Sequence, residues 1–352
     1  MLRVQKRRRI HGKQAPRPAS PERLWGKASV AVLIGVRLTV YRRMECLGCP
    51  LLLFELLKCV AAAQAVTDAD SSPLMLFEVF CGVASITRAF QTGGFLSSGY
   101  DILADPHHNN LNSSSGFVYA LVMALRLDAA DGLMWLATVC SSWVWMARGS
   151  TGRTMDLPLG VPCQSTYIAN KMVARCGALI LLCICIGCEW ALEQPASSLM
   201  ENHPTLRWLA SRAGTMINAD WHQSLTSMGA FNAQSLKRTK LYGNRRTVLA
   251  LARHGVKNKG GRQANMDIVR YGYAESGSLQ GARRTATKGT QLKETQAYTD
   301  EFGVAVFEAW LACGQGAAVE DSGCDGPDGP YEVPSGVWDL AELESVLRFA
   351  TT

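Results

Sequence analysis

The sequence predicts an α/β fold in which a mostly parallel sheet carries helices on both faces. From residue 74 onward, short apolar runs alternate with longer helix-like segments, as expected for strands joined by crossover helices. The 352 residues are 48% hydrophobic, which is enough for a sizeable core in one large domain or two small ones. This composition excludes collagen, coiled coils and wholesale disorder, and the chain contains no internal repeat.

The predicted elements alternate in order along the chain. The first apolar run, 74–80, is typical of a buried strand, and the helix that follows begins after Gly82. The predicted strands are 74–80, 96–102, 133–139, 189–193, 222–227 and 247–252. The predicted helices are 84–91, 117–127, 168–187, 205–213 and 302–313.

Charge is distributed unevenly along the chain, although the net charge is only +7. Residues 1–45 carry twelve Lys and Arg against two acids, and residues 237–293 carry fourteen against two. Residues 294–352 carry twelve acids against one basic residue. Basic blocks on an otherwise near-neutral chain suggest a polyanionic partner such as nucleic acid, and solvated surface charge without a partner is the alternative.

Composition divides the chain into three parts. Residues 1–72 form a basic, partly disordered arm with one apolar helix. Residues 73–313 form the predicted compact domain, in which 237–293 is a basic insert that would face nucleic acid. Residues 314–352 form an acidic tail rich in Gly and Pro.

Cysteine usage and the apolar stretches indicate the setting of the protein. Most of the twelve cysteines lie in apolar runs, which favours core packing in a reducing compartment over a disulfide framework or a zinc site. The stretch 49–65 contains Glu55 and Lys58, and 177–188 is too short to span a bilayer, so both are predicted to be buried helices. We therefore expect an intracellular protein with no metal and no membrane partner. A cleaved targeting segment ending near Ala65 and a nuclear-localisation role for Lys6-Arg7-Arg8-Arg9 stay open.

Residues that could bind a ligand or take part in a reaction lie at the ends of the predicted strands. In a doubly wound sheet, ligands bind beyond the carboxyl ends of the strands, where the strand order reverses. The first four strands lead to Gly82, Asp101, Cys140 and Glu193 in turn. A glycine after a strand lets the backbone approach a ligand, and an acid after the next strand suits ribose hydroxyls. We predict a nucleotide-type ligand beside Cys140 and Glu193. Taken singly, a core cysteine and a buried structural glutamate are the alternatives.

Five segments resemble motifs of the DNA cytosine-5 methyltransferases, including phage-type members, in the same order. FEVFCGVASITRAF with GYDI resembles the strand-turn that binds S-adenosylmethionine, and Cys140 falls where the family keeps its Pro-Pro-Cys nucleophile. WALEQPASSLMENHP resembles the Glu-Asn-Pro/Val motif, and SMGAFNAQSLKRTKLYGN and LKETQAYTDEFGVAVFEAW resemble later segments. The similarity covers residues 74–313. The chain differs from the family pattern at Ala84, Val139, Gln194 and Arg238, where the family has Gly, Pro, Asn and Pro.

The resemblance implies a Rossmann-like class I methyltransferase that uses S-adenosylmethionine as cofactor. Gly82 and Phe80 would pack on the cofactor, Glu78 would contact its methionine end, and Asp101 would bind its ribose. Cys140 would be the nucleophile that adds to carbon 6 of cytosine, and Glu193 would bond the edge of the ring.

The resemblance also implies a nucleic-acid partner, DNA above all. Trp143 and Trp145 would stack on a base or are buried aromatics. Phosphate contacts near the DNA cleft are expected from Lys237, Arg238, Lys240, Arg245 and Arg246. Two other hypotheses stay open: a degenerate, non-catalytic member of the fold that binds nucleic acid, and a methyltransferase acting on RNA or a small molecule.

Overall fold

The computed structural model describes residues 49–67, 72–216, 220–233, 236–253, 297–314 and 336–351, together with residues 40, 43, 44, 47, 272, 273, 284 and 285. The helices are α1 (Leu51–Thr67), α2 (Ser85–Thr92), α3 (Ser114–Leu125), α4 (Arg148–Thr151), α5 (Gln164–Ile186), α6 (Pro204–Met216), α7 (Thr247–Ala250), α8 (Asp300–Gly314) and α9 (Leu340–Thr351). The strands are β1 (Leu76–Val79), β2 (Ser97–Tyr100), β3 (Leu133–Leu136), β4 (Glu189–Pro195), β5 (His222–Ser227), β6 (Arg238–Gly243), β7 (Gly272–Tyr273) and β8 (Arg284–Thr285).

Six strands form one mixed, mostly parallel sheet in the order β2-β1-β3-β4-β6-β5. The pairs β1–β2, β1–β3 and β3–β4 are parallel, and β6 runs antiparallel to both β4 and β5. Val79 lies opposite both Tyr100 and Leu136, and Leu136 lies opposite Leu192. The residues that follow β1, β2 and β3, together with the end of β4, therefore meet at one edge of the sheet.

Helices cover both faces of this sheet, as predicted. Strand side chains alternate between the faces, so Phe77 and Val79 belong to one apolar core and Leu76 to the other. The first core is built with α1, α3, α5, α6 and α9, and the second with α2, α7 and α8. The α/β architecture with a mostly parallel sheet is thus confirmed.

The predicted strand at 247–252 is wrong, and β6 was missed. Residues Thr247–Ala250 form the short helix α7, and the strand that pairs with β5 is Arg238–Gly243. In β6, Thr239 and Leu241 are buried while Arg238 is exposed, which is the alternation of a strand with one covered face. Its basic residues made this segment look like part of a nucleic-acid-binding stretch.

The division into arm, domain and tail differs from the packing. Helix α9 lies in the predicted tail and α1 in the predicted arm, yet α9 packs on α1 and α3. Leu343 and Val346 of α9 are buried in the first core together with Leu53 and Leu56 of α1. These two helices are therefore part of the same folded unit as the sheet. The remainder of 1–48 and the stretch 315–335 lie almost entirely outside the described residues.

Helix α5 is long and apolar enough to cross a membrane by length and composition alone. Two thirds (67%) of its most apolar window is buried inside the protein, and its residues Leu179 to Cys183 are fully covered. Its packing is that of the central helix of a core, which is the role the sequence predicts for 168–187.

Candidate functional site

The reversal in strand order places a crevice between β1 and β3. From β1 the chain goes to β2 on one side, and it then returns to β3 on the other side of β1. The loops after β1 and β3 diverge at such a point and leave room for a ligand at the carboxyl edge. The residues predicted to act at this site are concentrated in these two loops and the ends of β2 and β4.

The turn after β1 has an unusual backbone. Phe80, Gly82 and Ala84 have φ angles of 62°, 53° and 56°, all in the left-handed region. Only glycine adopts this region without penalty, and such strain on other residues costs about 1–3 kcal/mol each and persists mainly at functional turns. A Cβ added at Gly82 would meet no atom within 4 Å. The turn therefore exposes its backbone to open space.

Asp101 closes this turn from the next strand. Its Oδ2 accepts a hydrogen bond of 2.9 Å from the Gly82 amide, and its Oδ1 accepts one of 2.9 Å from the Leu103 amide. The structure thus brings Gly82 and Asp101 together, as expected from strand ends. A carboxylate oxygen can accept more than one hydrogen bond. The partly exposed Asp101 carboxylate can therefore also accept hydrogen bonds from hydroxyl groups of a ligand.

The role expected for Glu78 does not fit its position. Its side chain is fully buried, and its Oε2 accepts hydrogen bonds from the Thr87 amide (2.8 Å) and hydroxyl (2.6 Å). Because side chains alternate along a strand, Glu78 points toward α2 and not out of the carboxyl edge. Burial raises the pKa of Glu78 to about 7. The residue supports the turn from behind and does not line the crevice. Phe80 is half-buried against the first core.

Cys140 lies in the loop after β3, and buried polar contacts hold this loop. The side-chain amide of Gln194 donates a 2.7 Å hydrogen bond to the Thr138 carbonyl, and its oxygen accepts one from the Ser198 hydroxyl. The Trp143 amide donates to the Cys140 carbonyl at 2.8 Å. Gln194 is thus the link between the end of β4 and the cysteine loop. The Cys140 side chain is partly exposed.

Glu193 and Lys237 form an ion pair next to this thiol. Lys237 Nζ lies 3.1 Å from Glu193 Oε1, and Glu193 is only 4% exposed. Burial raises the pKa of the Cys140 thiol, while the Lys237 ammonium lowers it and the Glu193 carboxylate raises it, and the net shift is upward. Burial lowers the pKa of Lys237, but the negative charges of Glu193 and Cys140, together with hydrogen bonding to Glu193, raise it, and the net shift is upward. The Cys140 thiol therefore lies within range of the charges of this buried ion pair.

Tyr298 completes the cluster from the segment just before α8. Its hydroxyl accepts a 3.3 Å hydrogen bond from Trp135 Nε1, and the Ser85 hydroxyl donates to its carbonyl at 2.9 Å. Burial, and after it the charge of Glu193, raise the pKa of the Tyr298 phenol well above its usual value. Sequence reasoning included this tyrosine only as part of a closing motif. Its contact with Glu193 depends on α8 packing closely on α2, which local sequence does not reveal.

The five basic residues expected at the cleft are not together. Because β6 is antiparallel to β4, Lys237 and Arg238 lie at the carboxyl edge, whereas Arg245 and Arg246 lie at the opposite edge. Arg245 donates to the carbonyls of Ala130 and Gly187, which precede β3 and β4. The expected cleft location is therefore wrong for Arg245 and Arg246.

Two of the remaining three basic residues are engaged within the protein. Lys237 is paired with the buried Glu193, and Lys240 Nζ lies 2.7 Å from Glu201 Oε1. Arg238 is exposed at the carboxyl edge. Most of the basic stretch 254–293 lies outside the described residues. Of the five residues, Arg238 is thus the one that the structure places at the carboxyl edge with an exposed side chain.

Sequence reasoning missed the support of the cysteine loop by Arg153. This guanidinium is 1% exposed and stacks 3.5 Å from the centre of a Trp143 ring, while its Nε donates to Ser142 Oγ at 3.1 Å. Trp143 is buried, so of the two tryptophans considered for base stacking Trp145, at 60% exposed, is the accessible one. A cleft of about 390 Å³ lies beside this loop. Its hydroxyl-bearing lining residues are Ser141, Ser142, Ser150, Thr151 and Ser165.

In the part of the chain that the structure describes, no group of three His, Cys, Asp or Glu side chains is placed to hold a metal ion. Compared with known proteins, the chain matches no family model and has no significant match among curated proteins.

Proposed function

We propose that this protein transfers a methyl group from S-adenosylmethionine to carbon 5 of cytosine in DNA, on a Rossmann-like class I methyltransferase fold. The observation that carries the proposal is the arrangement of two residue pairs at one sheet edge. Gly82 and Asp101 meet after β1 and β2, and Cys140 follows β3 beside the neighbouring strand β4, where Glu193 lies close enough for its charge to act on the thiol. A nucleotide-type ligand and a reacting ring placed at this edge would lie side by side.

The residues at the β1 turn fit the cofactor. The open side of Gly82 admits a ligand to the backbone, and the Asp101 carboxylate suits the two ribose hydroxyls. Phe80, held in the left-handed turn, offers an aromatic surface at the same place. Glu78 supports this turn through Thr87 and is not assigned a contact. The bound cofactor would supply a methyl group activated by a positively charged sulfonium.

Cys140 and Glu193 supply the protein's part of the chemistry. Carbon 5 of cytosine becomes nucleophilic once a thiolate adds to carbon 6, and Cys140 is the thiol at this edge. The Glu193 carboxyl group would bond the ring nitrogen and amino edge and stabilise the charge that develops there. Since the base has to leave the duplex to reach a buried carboxylate, the proposal requires base flipping.

Methyl transfer from radiolabelled S-adenosylmethionine tests the proposal. The expected result is label in cytosine-containing duplex DNA, in 5-methylcytosine, with loss of the label in Cys140→Ala. Label in RNA or in a small molecule instead of DNA would show that the proposed substrate is wrong and that the proposed cofactor is right. Cofactor binding without transfer to any of these acceptors would contradict the catalytic proposal.

One observation favours a second candidate, a non-catalytic nucleic-acid-binding protein. In the structure, Glu193 is occupied by Lys237, and burial raises the pKa of Cys140, so the resting site is not poised for attack. Binding of DNA that depends on Arg238 and weakens with salt, without methyl transfer, would support this candidate. Arg238→Glu should weaken binding and reduce the log–log salt slope by about one. Arg246→Glu, at the opposite edge of the sheet, is the matched control.

A further inference from the structure

The Cys140 loop, Glu193 and Lys237 belong to three different segments that the sheet brings together. Strand β4 lies between β3 and β6, and Pro195 of β4 pairs with Thr239 of β6. Lys237 stands just before β6, so its side chain reaches Glu193 on the neighbouring strand, with Nζ 3.1 Å from Oε1. The cysteine loop is joined to the same end of β4 through Gln194.

Burial makes the charges in this cluster strongly interdependent. Glu193 is 4% exposed and the Lys237 side chain 18% exposed, so water screens their interaction only weakly. The ammonium favours a negatively charged sulfur and the carboxylate opposes it. The two charges thus act on the sulfur in opposite directions, and the loss of hydration, which is the largest effect, keeps the thiol protonated.

We propose that Lys237 is the residue that stabilises the Cys140 thiolate, and that its ion pair with Glu193 holds the thiol unreactive until a ligand engages the carboxylate. Lys237 is therefore a positioning residue that acts through the sulfur, and not a phosphate contact. The inference rests on the proposed function only in taking Cys140 as the nucleophile.

A ligand that binds the Glu193 carboxylate would change how the charges of the pair act on the Cys140 sulfur. A ligand that donates an N–H group to Glu193, as an exocyclic amino group does, draws its negative charge away from Lys237. The ammonium is then less strongly bound by Glu193 and acts more strongly on the sulfur, so the thiol loses its proton to solvent water. The electron pair of the S–H bond stays on sulfur, and Lys237 remains protonated throughout. The nucleophile would thus form only when a ring with the right edge is in place.

Among the described residues, the charged groups that act on the Cys140 sulfur are Lys237 and Glu193. Tyr298, which lies just before α8 and whose pKa responds to Glu193, has a strongly raised pKa and is neutral at physiological pH. The buried Arg153 supports the other side of the loop through Ser142. Removal of the Lys237 charge should therefore raise the pKa of Cys140, and removal of the Glu193 charge should lower it.

Site-resolved alkylation of the protein alone tests this proposal. The full chain is treated with iodoacetamide between pH 6 and pH 10, and the rate at the Cys140 peptide is followed by mass spectrometry. Glu193→Gln should lower the apparent pKa of Cys140, since it removes the carboxylate charge that disfavours the thiolate, and Lys237→Met should raise it, since it removes the ammonium charge that favours the thiolate. Lys237→Arg should keep the profile close to that of the wild type.

Two controls separate this effect from general loosening of the fold. Lys240→Met removes a second lysine–glutamate pair, in which Lys240 of β6 pairs with Glu201, and should leave the reactivity of Cys140 unchanged. Cys163 is exposed at the start of α5 and has its pKa lowered to about 7 by hydrogen bonds from Ser165 and Thr166, so its rate serves as an internal reference.

The proposal is overturned if Lys237→Met and Lys237→Arg give the same Cys140 profile, because the charge would then be irrelevant. It is also overturned if Glu193→Gln makes Cys140 less reactive. Should Glu193→Gln fail to fold, the Met and Arg variants of Lys237 still decide the outcome. The alkylation assay contains no nucleic acid and no cofactor, so its outcome does not depend on the proposed function. If the Cys140 profiles shift as expected but the protein transfers no methyl group, this inference is retained and the proposed function is rejected.

Discussion

The Gly82 amide donates a 2.9 Å hydrogen bond to Asp101 Oδ2, and this contact joins the turn after β1 to the end of β2. The two residues are 19 positions apart in the chain. The bond fixes a turn with three left-handed residues and holds a charged acceptor at its open side. This relationship is the basis on which we place a nucleotide-type ligand at the carboxyl edge.

Asp101→Ala should weaken binding of S-adenosylmethionine by about 10- to 100-fold. The physical reason is the loss of charged hydrogen bonds to ligand hydroxyls, each worth about 1.5–3 kcal/mol. Isothermal titration calorimetry measures the change. Asp105→Ala is the control, since Asp105 accepts hydrogen bonds from the His107 and His108 amides in the same loop. Equal affinities in the wild type and both variants would show that S-adenosylmethionine does not bind at this turn.

Glu342→Ala should destabilise the protein by about 3 kcal/mol. The Glu342 carboxylate pairs with Arg175, which is 3% exposed and also donates to the Leu111 carbonyl at 2.6 Å. Removing one partner leaves a buried charge without its counterion, which is costly. Glu344→Ala, two residues away in an exposed pair with Arg348, should change the free energy of unfolding by less than about 1 kcal/mol. Urea unfolding compares the two, and similar losses would show that α9 is not tied to the core through this pair.

Glu189→Gln should remove part of the pH dependence of stability. Burial raises the pKa of Glu189 to about 7, although the nearby Thr247 hydroxyl and the charge of Arg245 oppose this. The folded state therefore keeps a proton that the unfolded chain releases near pH 4–5, so wild-type stability falls as pH rises toward 7. The variant should gain up to about 3 kcal/mol relative to wild type between pH 5 and pH 8. Urea unfolding at several pH values measures this gain.

The control for this experiment is Glu55→Gln, which alters an exposed pair with Lys58 on α1. It should keep the wild-type slope of stability against pH. A Glu189→Gln protein with the same slope as the wild type would mean that the carboxyl group is already ionised in the folded state.

Strands β1 and β3 could be predicted because they are buried on both faces. Such strands are continuous apolar runs, and Leu76–Val79 and Leu133–Leu136 were recognised on that basis. β6 carries Arg238 and Lys240 on its less buried positions, so its residues looked like a basic block. α9 was missed because its buried residues Leu343 and Val346 are set among acids that suggested a tail.

The site was predictable to the extent that strand ends determine it. Gly82 and Asp101 meet because β1 and β2 are parallel neighbours in register. The pairing of Lys237 with Glu193 depends on the antiparallel return of β6 beside β4, which the sequence alone did not show. The orientation of Glu78 could have been foreseen, since Leu76 and Glu78 share one face of β1 by strand alternation.

Covalent trapping by DNA that contains 5-fluorocytosine tests the central claim most directly. The full chain is incubated with S-adenosylmethionine and duplexes of varied sequence, and adducts are detected by denaturing electrophoresis and mapped by mass spectrometry. After methyl transfer, fluorine at carbon 5 blocks the elimination that releases the enzyme, so we predict an adduct at Cys140. Cys140→Ala should give no adduct and bind the cofactor normally. If folded, cofactor-bound wild-type protein forms no adduct with any such duplex, Cys140 is not a cytosine-5 nucleophile and the account is contradicted.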